Sequence, residues 1–463
     1  MSKLIKNISL SILVSLFFSF SPLNAQQVSW NYLLEENALN NFIQLNGEAS
    51  FTLQNGILTG TSKLNTPNSF LATKKKYADF ILEFEVRIDY GLNSGVQFRS
   101  ESLKSYLNGR VHGYQCEIET SQRKWAGGIY DEARRGWLYP LTRNKKGQQA
   151  FVNGTWNSYR IEAIGNSIKT FVNGIQASNL VDAMTAEGFI AFQVHGISNP
   201  EDEGKKVHWK NIRILTTDLE ANRMVSSNNA PQISYLENTL TEEEKRLGFR
   251  MLWDGKTTQG WRGAKLQNFP EKGWFIEDGI LTVEASEGEE SRNGGDIITQ
   301  DSFRNFELSL DFLLTPAANS GIKYFVNPDL NKGSGSAIGL EFQLLDDQNH
   351  PDAKQGKNGN RTVGSLYDLI RAENKSTGAR GKNFKGVGQW NNARIIVNEG
   401  NVEHWLNNVK VVEFDRFSQV FEALVEKSKY EQWEQFGRWP EGVILLQDHG
   451  DQVSFKNIKI REF

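Results

Sequence analysis

Strand-like alternation is clearest in two stretches of the chain, FILEFEVRI at residues 80–88 and FELSLDFLL at residues 306–314. In both stretches apolar side chains recur at every second position, which is the pattern of a β-strand with one buried face. Shorter segments at 159–163, 394–397 and 404–406 alternate in the same way, and turn pairs such as Asn-Gly separate the strands. The sequence therefore predicts an all-β protein built from antiparallel sandwiches, with one helix around residues 420–430.

The chain contains the same domain twice. The string NGILT at 55–59 returns as DGILT at 278–282, and the two copies share further strings in the same order, among them NSGV/NSGI and QVHG/QDHG. A period of about 200 residues indicates a duplication. We place the two sandwiches at residues 26–216 and 249–463.

A polar linker, residues 217–248, separates the copies. Thr241, Glu244 and Gly248 have the spacing of an N-cap, a capping-box residue and a C-terminal glycine. The linker is therefore predicted to contain one short helix.

Residues 1–25 have the organisation of a secretory signal peptide. Lys3 and Lys6 precede an apolar run that ends at Phe20, and a small-residue cleavage site follows at Ala25. The apolar run is too short to anchor the chain in a bilayer. We expect a periplasmic or extracellular protein without a membrane span.

Composition excludes several classes of protein. The chain has 12 Trp and 28 Phe, which a disordered chain would lack. Its 52 Lys and Arg are balanced by 55 Asp and Glu, so nothing indicates a nucleic-acid partner. The single cysteine, Cys116, cannot form an internal disulfide and is interpreted as a core thiol.

The richest chemistry lies at residues 339–354 of the second copy. Strand alternation places Glu341 and Gln343 on one face, and the loop that follows brings Asp346 and His350 together. Three interpretations stay open at this point: a catalytic site, a strand end with a solvated acidic loop, and a loop stabilised by calcium.

The first copy carries a variant of this strand. Gln115 takes the place of Glu341, and Glu117 takes the place of Gln343, so carboxylate and amide are exchanged. A neighbouring stretch groups arginines with aromatic residues, a combination that suits a sugar ring and its hydroxyls, although an ordinary aromatic surface loop is the alternative; the residues are Tyr130, Arg134, Arg135 and Trp137.

These strings resemble the 3-keto-disaccharide hydrolase domain family over roughly residues 28–216 and 248–463. The most specific pieces are WDGK at 253–256, NSGI at 319–322, GSLYDLI at 364–370 and LQDHG at 446–450. The resemblance implies a concanavalin A/glucanase-like jelly roll in each copy. The carboxylate pattern of the usual glucan hydrolases is missing, which disfavours a conventional retaining glycosidase.

The resemblance also implies an activity, the cleavage of 3-keto-glycosides or 3-keto-disaccharides. A 3-keto group acidifies the C2 proton, so a base, an enolate stabiliser and an acid suffice for elimination, and water adds afterwards. In the second copy the expected catalytic residues are Glu341 or His449 as the base, Lys323 as the enolate stabiliser, and Tyr367 or Asp346 as the acid. The expected substrate-binding residues are Gln343, His350 and Asp368, and in the first copy Gln97, Arg99, Glu117, Tyr130, Arg134, Arg135, Trp137 and His195.

Two further expectations concern partners. A bound divalent cation, Ca²⁺, Mg²⁺ or Mn²⁺, is the alternative to Lys323 as enolate stabiliser, and no ligand set for it is assigned. The alternative to an enzyme is a non-catalytic carbohydrate-binding protein, in which Trp125, Trp137, Tyr139 and Tyr130 form a stacking platform.

We expect the principal activity in the second copy.

Overall fold

The computed structural model describes residues 29–35, 38–333, 335–375 and 381–463, and the predicted secretory leader at 1–25 lies outside these ranges. The first half of the described chain forms two sheets. Its strands are β1 Asn31–Tyr32, β2 Phe42–Asn46, β3 Ser50–Gln54, β4 Ile57–Thr61, β5 Ser69–Tyr77, β6 Phe80–Ile88, β7 Asn93–Glu101, β8 His112–Glu119, β9 Ile129–Glu132, β10 Gly136–Tyr139, β11 Asn157–Ile164, β12 Ser167–Val172, β13 Ile175–Val181, β14 Gly188–Val194, β15 Lys206–Leu215 and β16 Ile233–Ser234.

The second half is built in the same way. Its strands are β17 Arg250–Met251, β18 Trp261–Gly263, β19 Trp274–Glu277, β20 Ile280–Val283, β21 Ile297–Phe303, β22 Phe306–Leu314, β23 Asn319–Asn327, β24 Ile338–Leu345, β25 Asn391–Asn398, β26 Asn401–Leu406, β27 Val409–Asp415, β28 Gly442–Leu446 and β29 Val453–Glu462. The α-helices are α1 Lys145–Gln148, α2 Glu242–Arg246 and α3 Gln419–Glu426, and the 3₁₀-helices are Ala38–Asn41, Leu107–Gly109, Leu141–Arg143, Pro200–Asp202, Glu220–Asn222 and Pro351–Lys354.

Each half is a jelly-roll sandwich whose main hydrophobic core lies between its two sheets. In the first half one sheet has the order β16-β13-β12-β11-β6-β15-β4-β3, with β1 on β15, and the other has the order β10-β9-β8-β7-β14-β5-β2. In the second half the orders are β19-β20-β29-β22-β25-β26-β27, with β17 on β29, and β18-β21-β28-β23-β24. The all-β prediction is confirmed, and the two alternating stretches coincide with β6 and β22.

The segment between the copies is divided between them. Strand β16 pairs in parallel with β13 of the first half. Asn238 instead bonds with Asn457 of the second half through its backbone N–H, at 2.6 Å. The predicted capping box is present at Thr241 and Glu244, and it opens helix α2.

A buried charge cluster joins the two halves. Glu307 of β22 is paired with Arg394 and Arg461 of its own half, and Arg143 of the first half lies 4.0 Å from the same carboxylate. Burial by itself would raise the pKa of Glu307, but the three guanidinium groups lower it to about 2. The contact between the halves therefore includes a buried ionised carboxylate.

The copies differ in length at the connection before their last two long strands. Strands β13 and β14 are joined by residues 182–187, whereas the equivalent strands β27 and β28 are joined by 416–441, which include α3. Arg416 fixes this insertion by donating to the carbonyl oxygens of Gly437 and Trp439. No helix in the described part of the chain is both long enough and apolar enough to cross a membrane.

Candidate active site

A polar cavity of about 410 Å³ lies on the outer face of the five-stranded sheet of the second half, beneath the 416–441 insertion. We call it the second-copy cavity. It is lined by Glu290, Asn319, Lys323, Asn331, Ser336, Ala337, Ile338, Gly339, Glu341, Gln343, Tyr367, Lys429, Tyr430, Gln432, Trp433, Gln447 and His449. The structure thus brings five of the predicted residues, Lys323, Glu341, Gln343, Tyr367 and His449, into one place.

Glu341 occupies the floor of the cavity. Its neighbours Leu340 and Phe342 point into the core, so strand alternation sends Glu341 to the opposite face, as the sequence predicts. The side chain is only 6% exposed. Its carboxylate lies 3.6 Å from Lys323 Nζ, and the Gln343 amide, with its nitrogen on this side, donates to Oε1 at 3.0 Å.

The electrostatic environment makes Glu341 a stronger base than an ordinary carboxylate. Burial raises its pKa, against the opposing influence of Lys323, Lys429 and His449. A carboxylate with a raised pKa, inside a cavity that a substrate can enter, has the properties of a general base.

Gly321, the glycine of the NSGI string, leaves space for the side chain of Glu341. A Cβ at Gly321 would lie 2.4 Å from Glu341 Oε1, so the missing side chain provides the space in which the carboxylate rests. In the first copy, a Cβ at Gly95 would lie 2.4 Å from Gln115 Cδ. The repeated glycine is therefore a packing requirement of the residue that faces it.

Tyr367 enters the cavity next to Glu341, and its hydroxyl donates to Asp352 Oδ2 at 2.9 Å. Arg361 donates to both Asp352 and Asp368, at 2.8 and 2.7 Å. Burial, followed by the charges of Glu341 and Asp352, raises the pKa of Tyr367. Asp368 thus holds Arg361 and does not line the cavity, in contrast to the substrate contact expected for it.

The two histidines differ in position. His449 lines the cavity, and its Nε2 lies 3.3 Å from Asn319 Nδ2. His350 lies outside the lining, with its Nδ1 accepting from the backbone of Asp352 at 3.1 Å. The ring centroids of His350 and His449 are 6.4 Å apart, so His350 is a neighbour of the site.

Asp346 holds its own loop together. Its carboxylate accepts from the backbone of Ala317 at 2.8 Å and from Asn349 Nδ2 at 2.7 Å, and it does not line the cavity. This position does not suit the acid role expected from the sequence. Within the described ranges, no group of three or more His, Cys, Asp or Glu side chains is arranged to hold a metal ion. The divalent cation stays a prediction of the sequence.

Twelve of the residues that line the cavity were not among the site residues predicted from the sequence. Lys429, Tyr430 and Trp433 come from the 416–441 insertion, and Gln447 follows β28. The Oε1 atom of Gln447 is buried without a hydrogen-bond partner among the described residues, so it is placed to accept from a ligand hydroxyl. The insertion could have been recognised from the sequence, because the repeat alignment leaves residues 416–441 of the second copy opposite only 182–187 of the first.

The equivalent strand of the first copy carries a different arrangement. Glu117 accepts from Asn93 Nδ2 at 2.5 Å and from Gln115 Nε2 at 3.0 Å, and Gln97 donates to Gln115 at 2.7 Å. Burial, followed by the charge of Glu119, raises the pKa of Glu117 to about 7. The strand pairing confirms the exchange of carboxylate and amide, because Gln97 faces Gln115 as Lys323 faces Glu341.

Arg123 covers this part of the first copy. Its guanidinium lies over the rings of Trp125 and Trp137, at 4.6 and 4.7 Å, and 3.6 Å from Glu117. Trp125 and Tyr139 belong to the core, and the Tyr139 hydroxyl donates to the carbonyl of Pro231. The expected platform of four exposed rings is therefore absent from this arrangement, although Tyr130 and Trp137 do lie edge to face.

The remaining residues expected in the first copy stabilise its loops. Arg134 and Arg135 both pair with the buried Asp131, and Arg135 also pairs with Asp182. Arg99 lies at a β-bulge, where it donates to Asp79 and to the carbonyls of Ala78 and Gly165. A bulge inserts a residue and ends the simple alternation, which explains why Arg99 does not share a face with Gln97.

His195 is exposed, and its Nδ1 lies 2.7 Å from the carbonyl oxygen of Gly196. It therefore differs from His449, which lines a cavity. The two copies share their scaffold, but in the second the structure gathers four of the five predicted catalytic residues, all except Asp346, around a cavity.

Fold and site define a two-copy jelly-roll protein with a polar cavity on one sheet of its second copy. The profile of the 3-keto-alpha-glucoside-1,2-lyase-like domain matches residues 29–215 and 248–461. The chain therefore belongs to this family, in two tandem copies.

The individual relatives each align with about half of this chain, which is the length of one copy. A 3-keto-disaccharide hydrolase of Bacteroides thetaiotaomicron is 37% identical over 238 residues, which cover 46% of this chain and 78% of the relative. A crystal structure from Parabacteroides distasonis, described as a glycosyl hydrolase, is 30% identical and covers 49% of this chain and 100% of its own, with a TM-score of 0.43. A second structure from that organism, with the same description, is 24% identical and covers 46% and 99%, with a TM-score of 0.35.

Proposed function

We propose that this chain is a glycoside-cleaving enzyme that acts on 3-keto sugars, and that its second copy carries the reaction. Family membership and the hydrolase of Bacteroides thetaiotaomicron support a carbohydrate hydrolase. The observation that carries the proposal for this copy is the position of Glu341, a buried carboxylate with a raised pKa on the floor of a polar cavity.

The reaction proceeds by elimination and hydration. Glu341 removes the C2 proton of the 3-keto sugar, and the electrons of the broken C–H bond move through C3 onto the keto oxygen, which gives an enolate. The enolate then re-forms the ketone, a C1–C2 double bond forms, and the bond from C1 to the leaving oxygen breaks. Water adds its hydroxyl to C1 and a proton to C2, so that the net reaction is hydrolysis.

The other cavity residues divide the remaining tasks. Tyr367 is assigned to protonate the leaving oxygen, with His449 as the alternative donor. We assign the enolate oxygen to Lys429, whose ammonium lies 4.4 Å from the Tyr367 ring centroid and makes no hydrogen bond or ion pair within the described residues. This assignment replaces the one expected for Lys323, because the ammonium of Lys323 already faces three acceptors.

We also propose that the enzyme is exported to the periplasm or beyond, on the basis of residues 1–25. Protein isolated from its native envelope should show, by intact mass, the loss of about 25 residues. A full-length mass in the membrane fraction would contradict export.

A substrate comparison tests the proposed activity. The purified protein is incubated with a 3-keto-glucoside and with the same glucoside unoxidised, and release of the aglycone is measured. Release from the keto sugar alone is expected, because only there is the C2 proton acidic. Release from the unoxidised parent would indicate a conventional glycosidase, and binding of either sugar without release would indicate a carbohydrate-binding protein.

A further inference from the structure

The ammonium group of Lys323 is held between two carboxylates. It donates to Ser336 Oγ at 2.5 Å and to the carbonyl of Ala337 at 3.3 Å, and it stands 3.6 Å from Glu341 Oε2. A direct hydrogen bond between ammonium and carboxylate would be about 2.7–2.9 Å long. Lys323 is thus close to Glu341 without forming a hydrogen bond to it.

The second carboxylate is Asp296, which lies behind Lys323. Ser336 Oγ donates to Asp296 Oδ2, and the backbone N–H of Asp448 donates to Oδ1 at 2.9 Å. Asp296 is 4% exposed, Ser336 8% and Lys323 7%. A connected buried row therefore runs from Asp296 through Ser336 and Lys323 to Glu341.

An ion pair in direct contact would work against the proposed chemistry. An ammonium bonded to Glu341 stabilises the charged form of the carboxylate and makes it a poorer base. Acceptors on the far side of Lys323 oppose that contact, because each one holds an N–H of the ammonium away from Glu341. The distance of 3.6 Å is the result of this competition.

We propose that Asp296 and Ser336 are positioning residues that hold the Lys323 ammonium back from Glu341, and thereby keep this carboxylate available as the base. The inference rests on the proposed function of Glu341. Neither residue lies in a string that marked the site in the sequence, and both act through Lys323.

Other charged or titratable groups line the cavity around Glu341. Lys429 and Tyr430 come from the insertion, His449 from the segment after β28, Tyr367 from the segment after β24, and Glu290 from the segment between β20 and β21. All of them remain in the variants below, so any difference between variants reports on the row from Asp296 to Lys323.

The direct test is an infrared titration of Glu341. The carbonyl band of its protonated carboxyl group is assigned by its loss in Glu341→Gln and is then followed with pH in the full-length protein. In Ser336→Ala, Lys323 loses its restraint and moves onto Glu341, so the midpoint should fall. In Asp296→Asn the midpoint should also fall, but there the loss of the negative charge of Asp296, which raises the pKa of Glu341, contributes to the fall, so Ser336→Ala is the variant that isolates the restraint. In Lys323→Met the neighbouring positive charge is gone, and the midpoint should rise by about 1–3 pH units.

The proposal predicts a lower midpoint in Ser336→Ala and a higher midpoint in Lys323→Met. A general loss of structure would not move the midpoints of these two variants in opposite directions. Asp301→Asn is the control, since Asp301 pairs with Arg250 at the surface, and it should leave the midpoint unchanged. Ser336→Ala changes no charge, so it keeps the test valid if Asp296→Asn folds poorly. An unchanged or raised midpoint in Ser336→Ala would overturn the proposal.

The acid limb of kcat/KM against pH on the 3-keto-glucoside should move with the infrared midpoint in each variant. A wild-type protein that fails to turn over the keto sugar would refute the proposed function, whereas the infrared titration would still decide whether Asp296 and Ser336 restrain Lys323. The two failures are therefore distinguishable.

Discussion

Gly321 determines how the base fits beneath the substrate. Its Cα faces the carboxylate of Glu341, and an added methyl group would be 2.4 Å from Oε1. In Gly321→Ala we therefore expect Glu341 to turn away and kcat to fall by about 10²-fold, the cost of a displacement on the order of 1 Å in an active site.

The matched control is Gly95→Ala in the first copy, where the added methyl group meets Gln115. This variant should retain the kcat of the wild type, with both rates measured by aglycone release. Equal losses in the two variants would mean that the substitution damages the fold rather than the base.

For single residues, the sequence predicts which side chains share a face of a strand. It predicts little about the hydrogen-bond partners of those side chains. The period of a strand is two, so Glu341 and Gln343 could be placed together from their spacing alone. Asp346 and Arg134 are predicted as site residues from their chemistry, and Arg99 from the family resemblance. Some of their hydrogen-bond partners lie in distant segments, namely Ala317 for Asp346, Thr185 for Arg134 and Asp79 for Arg99, and no local pattern indicates these.

The 416–441 insertion decides which copy has a covered cavity. It contributes Lys429, Tyr430, Gln432 and Trp433 to the lining, and the short connection 182–187 of the first copy has no equivalent. Alternation identified β6 and β22 correctly, and the helix expected around 420–430 is present as α3. The position of the insertion over the sheet depends on contacts of Arg416 with Gly437 and Trp439, which a one-dimensional pattern does not contain.

Trp433 is the tryptophan that the insertion contributes to the cavity lining, and we expect its ring to stack on the sugar. Aromatic pairs gain about 0.5–1.5 kcal/mol beyond the area that they bury, and we expect a contribution of the same order from a sugar stacked on this indole ring. Trp433→Ala should therefore raise KM about 3- to 10-fold with little change in kcat, since the contact is equal in ground state and transition state. Trp156→Ala, on the first copy, is the control and should alter neither constant. A fall in kcat at constant KM would show that Trp433 serves the chemistry and not binding.

Glu307 is a buried carboxylate at the contact between the halves. Its pKa is lowered to about 2, so its stabilising contribution is complete at neutral pH and is lost as the pH falls from the ordinary value of 4.5 towards 2. Glu307→Gln leaves Arg143, Arg394 and Arg461 without their common partner. We expect a loss of about 3–5 kcal/mol in the free energy of unfolding at neutral pH, measured by urea denaturation.

Glu83→Gln is the comparison, because Glu83 also pairs with two arginines, Arg160 and Arg213, but is more exposed. Solvent screening should reduce its cost to about 1 kcal/mol or less. An equal loss in the free energy of unfolding in both variants would mean that burial does not strengthen the ion pairs of Glu307. We predict that each half folds alone when the chain is divided at residues 235–237, between the last strand of the first half and the contact of Asn238 with the second half.

At the scale of the whole molecule, one measurement tests the central claim most directly. Turnover of a 3-keto-glucoside is compared in the wild type, in Glu341→Gln and in Glu117→Gln. Removing a general base typically costs about 10²–10⁴-fold, so Glu341→Gln should lose activity by that factor with its fold unchanged, whereas Glu117→Gln should stay near the wild type. Near-full activity in Glu341→Gln, together with its loss in Glu117→Gln, would place the working site in the first copy and contradict the account.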